Sequence, residues 1–280
     1  MNPYQGRRVA LLTQHGKEAL LRQALAQALG CELVHTDAHD TDQLGTFTRD
    51  VPRIGSQLDA ARTKAQLGMQ LTGADIGLAS EGAFGADPVG GLMPWDTELL
   101  LWVDRAQGLE VQGLAQGPAQ NQQRALRSLQ ELDVFAVGAG FPRHHLVLRP
   151  DHDDGPIVAK GVADWDALRQ AFAQAMAQSA TGTVVVENDL RAFANPTRQQ
   201  LILEAARDLI RKLRSMCPAC KAPGYWIARH IPGLPCRACG RPSRLARAHI
   251  WSCPACQHEV ERRVESPAWV DPSRCDHCNP

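Results

Sequence analysis

"IGLASEGAFGADP", residues 76–88, places a carboxylate at the end of an apolar run. Residues 76–79 predict a buried strand, and Ser80 and Glu81 follow it directly. The glycines and the Asp-Pro pair that come next predict a turn over residues 82–88. Glu is uncommon in turns, so we expect Glu81 to bind a metal ion or accept a proton in a pocket. The alternative is that Glu81 caps a neighbouring helix.

The sequence around this stretch alternates between strand and helix patterns. Mixed elements of this length predict an α/β fold, either three-layered or an elongated α+β domain, with a mixed sheet. A hairpin is expected to turn at residues 106–108. The predicted strands are 8–13, 31–36, 75–79, 98–104, 109–116, 145–149 and 183–187. The predicted helices are 17–29, one capped by Ser56, 120–131, one capped by Asp164 over 165–178, and one that starts near Thr197.

The composition sets limits on the class of protein. The chain has 280 residues with 30 Lys and Arg against 30 Asp and Glu, so its overall charge does not predict a polyanionic partner. It has no apolar run near the length of a membrane span, and the first residues lack the pattern of a secretory signal. We therefore expect a soluble cytoplasmic protein without a membrane partner.

The cysteines divide the chain into two parts. Cys31 is the single cysteine of the first 216 residues, and the other eight form four CxxC pairs. In a chain without a secretion signal, this spacing is typical of metal knuckles rather than of disulfides. Eight thiolates make two closed, structural zinc sites. The predicted zinc ligands are Cys217, Cys220, Cys236, Cys239, Cys253, Cys256, Cys275 and Cys278.

The change in composition predicts two domains, residues 1–214 and 215–280. The second is expected to be a small double zinc-ribbon module. Segments 217–239 and 253–278 each resemble a complete zinc ribbon, so the expected pairing is first knuckle with second and third with fourth. Crossed and nested pairings stay open.

A phosphate site is predicted between the first strand and the first helix. "LLTQHGKEA", residues 11–19, places Thr13 and Lys17 where backbone N–H groups and the positive end of a helix attract an anion. Lys64 lies on a later helix, within "ARTKA", residues 61–65. The alternative is a capped helix with a solvated lysine.

A second candidate anion site lies in "VVVENDLRAFANPTRQQ", residues 184–200. Arg191 and Arg198 flank the start of a helix, where they can neutralise a phosphate. The alternative is a helix that Asn195 or Thr197 caps without binding a ligand.

The order of these motifs resembles the inosine/xanthosine triphosphate pyrophosphatase superfamily. Thr13 and Lys17 match its first motif, Lys64 its helix and Glu81 its acidic turn, over roughly residues 8–115. The resemblance implies that the lysine contacts a triphosphate, that acids hold Mg²⁺, and that a nucleoside triphosphate is split into monophosphate and pyrophosphate.

The whole chain resembles a bacterial family that joins a domain of unknown function to a cysteine-rich tail. This resemblance implies no activity. The stretches that carry it are TQHGKE, DTDQLGTFTRD, SEGAFGADP, PWDTELL, DLRAFANPTR and CDHCNP.

The favoured hypothesis is a Mg²⁺-dependent phosphohydrolase acting on a nucleotide or related phosphorylated small molecule, with Glu81 and Lys17 as catalytic residues. The acids that are candidates to assist Glu81 are Asp40, Asp42, Asp87 and Asp96. The rival hypothesis is a non-enzymatic adaptor whose zinc module binds nucleic acid or a protein partner.

Overall fold

The computed structural model describes residues 3–39 and 55–280. The candidate acids Asp40 and Asp42 lie outside these residues. The strands are β1 (Arg8–Leu12), β2 (Glu32–Thr36), β3 (Ile76–Ala86), β4 (Pro94–Asp104), β5 (Leu109–Pro118), β6 (Gln123–Leu126), β7 (Leu146–Pro150), β8 (Ala159–Val162), β9 (Val184–Asn188), β10 (Trp226–Pro232), β11 (Ala246–Ser252) and β12 (Glu259–Arg263). The helices are α1 (Lys17–Leu29), α2 (Gln57–Thr72), α3 (Leu129–Gly138), α4 (Trp165–Gln178) and α5 (Pro196–Arg214).

The largest sheet has the strand order β2-β1-β3-β4-β5. Strand β1 runs parallel to both β2 and β3. Strands β3 and β4 are joined by the short turn from Asp87 to Met93, which is too short for a parallel crossover, so they run in opposite directions. The sheet is therefore mixed, and the predicted α/β class with a mixed sheet is confirmed.

Helices cover both faces of this sheet. Ala61 and Ala65 of α2 pack against one face of β3 and β4. The strand residues that they contact, Ala79 and Leu99, are at odd-numbered positions. On the other face, Arg198 of α5 reaches the even-numbered positions. Because side chains alternate along a strand, β3 and β4 present one set of residues to α2 and the other to α5.

A second sheet has the order β6-β9-β7-β8, with each neighbouring pair antiparallel. Its apolar face forms a core with α3 and α4 that includes Leu148, Val186, Phe135 and Phe172. The opposite face carries the buried ion pair between Arg149 and Glu187, with Nε 3.3 Å from Oε1.

Helix caps follow the sequence closely. Ser56 forms the predicted cap of α2, and its partner Asp59 completes a capping box. Asp164 caps α4 over the predicted residues. The prediction of a helix over 120–131 is wrong, because residues 123–126 form β6 and Ser128 caps a helix that begins afterwards.

The predicted turn at residues 82–88 is also wrong in its position. Strand β3 continues to Ala86, so Glu81 lies within a strand and not at its end. The reversal starts at Asp87, whose carboxylate accepts hydrogen bonds from the backbone N–H groups of Val89, Gly90, Leu92 and Met93. These bonds hold the pKa of Asp87 far below its usual range.

The chain divides into two compact units. One comprises Met1–Val103 and Gln112–Leu209, and the other comprises Asp104–Val111 and Ile210–Pro280. The second unit contains an antiparallel sheet with the order β10-β11-β12. The predicted domain boundary at residues 214 and 215 stays a prediction. Among the described residues, no helix is both long and apolar enough to cross a membrane.

Gly113 sets how closely α5 packs on β5. A Cβ atom there would overlap the Ala205 carbonyl oxygen and Leu209. We expect Gly113→Ala to lower the free energy of unfolding by about 1–3 kcal/mol, because the contact is with backbone that cannot move aside. Chemical denaturation measures this effect. Gly85→Ala is the control, since a Cβ at Gly85 meets nothing within 4 Å; equal stability of the two variants would contradict the assigned packing.

Candidate active site and metal centres

Lys17 is the first residue of α1, and its side chain is buried. Gly16 precedes it with φ +71°, and a Cβ at Gly16 would lie 3.3 Å from the Cβ atom of Phe193. This left-handed glycine turns the chain from β1 into α1 and directs the lysine inward. The Nζ atom of Lys17 donates a hydrogen bond of 2.7 Å to the carbonyl oxygen of Ser80.

Glu81 forms an ion pair with Lys64 of α2. The Nζ atom lies 2.5 Å from Oε1, and both side chains are largely shielded from solvent. The strand beside them is fixed by Gln57, whose Nε2 donates to the carbonyl oxygens of Glu81 and Thr97. One carboxylate oxygen of Glu81 is thus used for Lys64, which lies in the middle of α2 and not at a helix end.

Glu98 and Arg198 form a second ion pair that is almost completely buried. The Arg198 Nε donates to Glu98 Oε1 at 2.5 Å, and one of its terminal nitrogens donates to the carbonyl oxygen of Leu190. A side chain at Gly82 would collide with both partners. The glycine therefore leaves the space that this pair occupies against β3.

Asp96 is a third buried carboxyl, with 1 % of its surface exposed. The backbone N–H of Thr97 lies within hydrogen-bonding reach of its carboxyl. Burial and the neighbouring Glu98 raise its pKa to about 7, against the opposing effect of Arg198 and Lys17. A carboxyl in this environment favours its neutral form.

The charges of both ion pairs influence the pKa of Lys17. Burial, together with the charges of Arg198 and Lys64, lowers its pKa to about 7, while Glu98 and Glu81 oppose the change. The structure thus places four predicted site residues at strands β3 and β4: Lys64 and Glu81 on the α2 face, Arg198 on the α5 face, and Lys17 at the Ser80 carbonyl oxygen. We call these four, together with Asp96 and Glu98, the charged cluster.

Two other predicted phosphate-binding residues are engaged elsewhere. Arg191 forms a bidentate pair with Asp189, with contacts of 2.5–3.1 Å, and its guanidinium lies over the ring of Phe193. Thr13 is buried, and its carbonyl oxygen lies 2.8 Å from His35 Nε2. Among the described residues, neither of them has a hydrogen bond or an ion pair with the charged cluster.

Two alternatives were left open for the start of α5: an anion site with two arginines, or a helix capped by Asn195 or Thr197. Asn195 caps the helix, because its Oδ1 accepts a hydrogen bond from the backbone N–H of Arg198. The Arg198 side chain nevertheless enters the charged cluster. Of the two arginines predicted for an anion site, one reaches the cluster and the other pairs with Asp189.

Glu98 was not among the predicted site residues, although the sequence contains a signal for it. In "PWDTELL", residues 94–100, Asp96 and Glu98 are two positions apart, so a strand places both side chains on the same face. Two carboxyls on one buried face of a strand indicate a polar site. The burial of Glu98 is made possible by its ion pair with Arg198. Because Arg198 is 100 residues away in the sequence, no pattern near Glu98 predicts this pair.

The second unit holds two cysteine tetrads. Cys217, Cys220, Cys253 and Cys256 form one, and their sulfur atoms all lie within 4.8 Å of one another. The other consists of Cys236, Cys239, Cys275 and Cys278, with the same spacing limit.

The distances in the tetrads fit a tetrahedral metal ion. The closest sulfur pairs are 3.6–3.9 Å apart, far longer than a disulfide bond. A zinc ion with Zn–S bonds of about 2.3 Å holds its sulfur ligands roughly 3.8 Å apart. Each tetrad can therefore hold one metal ion, and four thiolates leave no open coordination position.

The predicted pairing of the knuckles is wrong. The first knuckle pairs with the third and the second with the fourth, which is one of the crossed arrangements. The cause is the antiparallel pairing of β10 with β11, which sets Trp226 opposite Ser252 and so brings the knuckles before β10 and after β11 together. The second knuckle follows the far end of β10, where a bridge from Cys236 to Val270 brings in the last knuckle.

The four knuckles share one backbone turn. In each, the N–H of the residue after the second cysteine donates to the carbonyl oxygen of the first, at 2.9–3.0 Å. Three of these following residues, Lys221, Gly240 and Gln257, have positive φ angles of 60–70°. The identical turns explain why sequence alone does not distinguish the knuckles.

The fold and these sites define an α/β protein with a buried charged cluster and a module of two cysteine tetrads. A family model described as "Domain of unknown function (DUF6671)" matches residues 64–280, so the chain belongs to this family. The predicted membership of a family with a domain of unknown function is confirmed. No curated protein matches the chain. The resemblance to the inosine/xanthosine triphosphate pyrophosphatase superfamily stays a prediction.

The raised pKa of Asp96 predicts a pH-dependent stability. The unfolded carboxyl ionises near pH 4, whereas the folded one stays protonated up to about pH 7, so folding loses free energy between these two values. Relative to Asp96→Asn, the wild type should therefore lose at least about 1 kcal/mol of unfolding free energy from pH 4 to 7. Urea denaturation without added divalent cation measures this difference. Parallel pH profiles would contradict the assignment, and Asp75→Asn, at an exposed position, is the control.

The crossed pairing of the knuckles predicts different metal losses in two double variants. Cys217→Ser with Cys253→Ser disrupts one tetrad, so about one metal ion per chain should remain, since the other site is intact. Cys217→Ser with Cys236→Ser disrupts both tetrads and should leave none. Metal content measured by mass spectrometry decides between the pairings, because neighbouring pairing reverses the two results. Cys31→Ser is the control and should retain both ions.

Proposed function

We propose that the chain is a phosphohydrolase that acts on a nucleotide or a related phosphorylated small molecule at the charged cluster, with a divalent cation. The observation that carries this proposal is Lys17, whose pKa is influenced by the Glu81–Lys64 pair on one face of strands β3 and β4 and by the Glu98–Arg198 pair on the other. Cations neutralise the charge that develops on a phosphoryl group, and carboxylates hold a metal ion or activate water.

The balance of charge in the cluster supports ligand binding. Three cations and three acids lie at strands β3 and β4, all but Lys64 are buried, and two of the acids already have a cationic partner. An arriving phosphate is expected to compete with Glu81 for Lys64 and to release that carboxylate. Glu81 is then available to bind a metal ion or accept a proton from water.

Mg²⁺ suits the number of carboxylates that the charged cluster provides. Among the described residues, no three acidic side chains come close enough to form a metal site, and the groups that do are the cysteine tetrads. Mg²⁺ is usually bound by one or two carboxylates together with substrate phosphates and water, so a cage of three acids is not needed. Bound there, the ion would neutralise phosphate charge.

The cysteine tetrads take a structural part in this proposal. Zinc is the ion that four closed thiolates fit best, and two ions would hold the ends of the small β10–β11–β12 sheet together. A module with so small an apolar core depends on such ions for its stability.

Turnover tests the proposed activity. Nucleoside triphosphates and other phosphorylated small molecules are incubated with Mg²⁺, and both phosphate and pyrophosphate are measured. Glu81→Gln should lower the rate by about a hundredfold or more, because it keeps the size of the side chain but removes its charge. Glu204→Gln, on the exposed side of α5, is the matched control.

Three results would count against the activity. These are the absence of turnover with every substrate, turnover that does not need a divalent cation, and equal rates of Glu81→Gln and the control.

The second unit offers an alternative function, the binding of a single-stranded nucleic acid. The favouring observation is Trp269, which is 40 % exposed and lies under the guanidinium of Arg237 at 4.4 Å. Aromatic rings and arginines together stack on bases. Binding that weakens steeply with salt, is lost in Trp269→Ala and occurs without turnover would favour this alternative.

A further inference from the structure

Two histidines of the second unit contact each other across neighbouring strands. His230 of β10 is paired in register with His249 of β11. Their Nδ1 atoms lie 2.8 Å apart, and the ring planes cross at 82° with centroids 4.8 Å apart. Directly opposed residues of an antiparallel pair share one face of the sheet, so the strand register itself brings the two imidazoles together.

The short contact limits the protonation states of the two rings. Two imidazolium rings would set two N–H donors and two positive charges against each other, so at least one ring is neutral. The facing Nδ1 atoms can then share one proton in a hydrogen bond, or both can offer a lone pair to a metal ion. His230 is exposed and His249 is half-buried, so an ion can reach them from solvent.

The distance between the two nitrogen atoms indicates which ions fit between them. With metal–nitrogen bonds of about 2.0–2.1 Å, two ligands are roughly 2.9 Å apart at a right angle and roughly 3.3 Å apart at the tetrahedral angle. The observed distance of 2.8 Å matches the right angle. Right angles are typical of the square or tetragonal coordination of Cu²⁺ and Ni²⁺, whereas zinc prefers a tetrahedron.

The two arginines on this face of the sheet have other partners. Arg262 lies opposite His249 on β12, and its guanidinium is held over the Trp251 ring at 4.5 Å. Arg247, two residues before His249, pairs with Glu261, with Nη1 3.5 Å from Oε1. This glutamate offsets one of the two positive charges, which lowers the electrostatic cost of placing a cation at the histidines.

We propose that His230 and His249 bind a divalent transition-metal ion of the Cu²⁺ or Ni²⁺ class through their Nδ1 atoms. Imidazole nitrogen is a favoured ligand of both ions. Among the described residues, no third histidine, cysteine or acid joins the pair, so water or an external ligand fills the remaining positions. The site is therefore open, unlike the tetrads, in which four thiolates complete the coordination.

This site does not depend on the proposed hydrolase activity. Both histidines belong to the second unit, and neither is a member of the charged cluster. Neither is a member of a cysteine tetrad, so an ion bound here is additional to those that the tetrads can hold. The presence or absence of turnover therefore leaves the assignment unchanged, and binding is measured without any substrate.

Titration with Ni²⁺ tests the site. Ni²⁺ is preferred to Cu²⁺ as the probe because thiolates compete for copper. The full chain, without an added histidine tag and with its resident metal bound, is titrated by calorimetry. Metal content measured by mass spectrometry before and after shows whether the tetrads are unchanged.

The wild type should bind a single Ni²⁺ ion. His230→Ala and His249→Ala should each weaken binding by at least about tenfold, because the second ligand of a pair binds intramolecularly. His152→Ala removes an exposed histidine outside the pair and should bind as the wild type does. His230→Gln is a second variant at the more exposed position, in case alanine disturbs the strand, and circular dichroism checks the fold of each protein.

Three results would overturn the proposal. The first is a wild type that takes up no Ni²⁺. The second is equal Ni²⁺ affinity of the wild type and the folded histidine variants, which is expected of a pair that only shares a proton. The third is tighter binding of Zn²⁺ than of Ni²⁺ at the pair, which contradicts the right-angle geometry.

Discussion

The buried ion pair between Glu98 and Arg198 governs the organisation of the first unit. It joins β4 to the start of α5 across 100 residues of sequence, and both partners are almost fully removed from water. Breaking such a pair by removing one partner leaves an isolated buried charge, which is strongly destabilising. Two neighbouring residues make this buried pair possible. Gly82 leaves space for the pair, and Asn195 fixes the helix end that presents Arg198.

A second consequence is that the two faces of β3 and β4 carry different chemistry. The α2 face holds Glu81 with Lys64, and the α5 face holds Glu98 with Arg198. Lys17 enters at the Ser80 carbonyl and interacts electrostatically with both pairs. A ligand that binds Lys17 can therefore influence both faces, although no side chain passes through the sheet. The burial that permits this coupling also shifts the pKa values of Lys17 and Asp96 towards neutrality.

Sequence reasoning succeeded where the signal was local. The caps at Ser56 and Asp164, the period of the helices and the eight cysteines that could hold metal ions are all encoded within a few residues of each position. It failed where a distant strand decided the outcome. Strand β3 continues through Gly82, which leaves space for Arg198, and the partner of Glu98 could not be known from its sequence neighbours. Of the charged cluster, the sequence named Lys17, Lys64, Glu81, Asp96 and Arg198 and not Glu98, and their role as a functional site stays a prediction.

The crossed arrangement of the cysteine knuckles has a consequence for the newly made chain. As the polypeptide leaves the ribosome, the first two knuckles are available together before either has its native partner. Four thiolates so close in sequence can trap a metal ion in a non-native pairing. Correct assembly then waits for β11 to pair with β10, which brings the third knuckle beside the first. The rate at which this module matures should thus depend on metal exchange between competing thiolates as well as on the formation of the sheet.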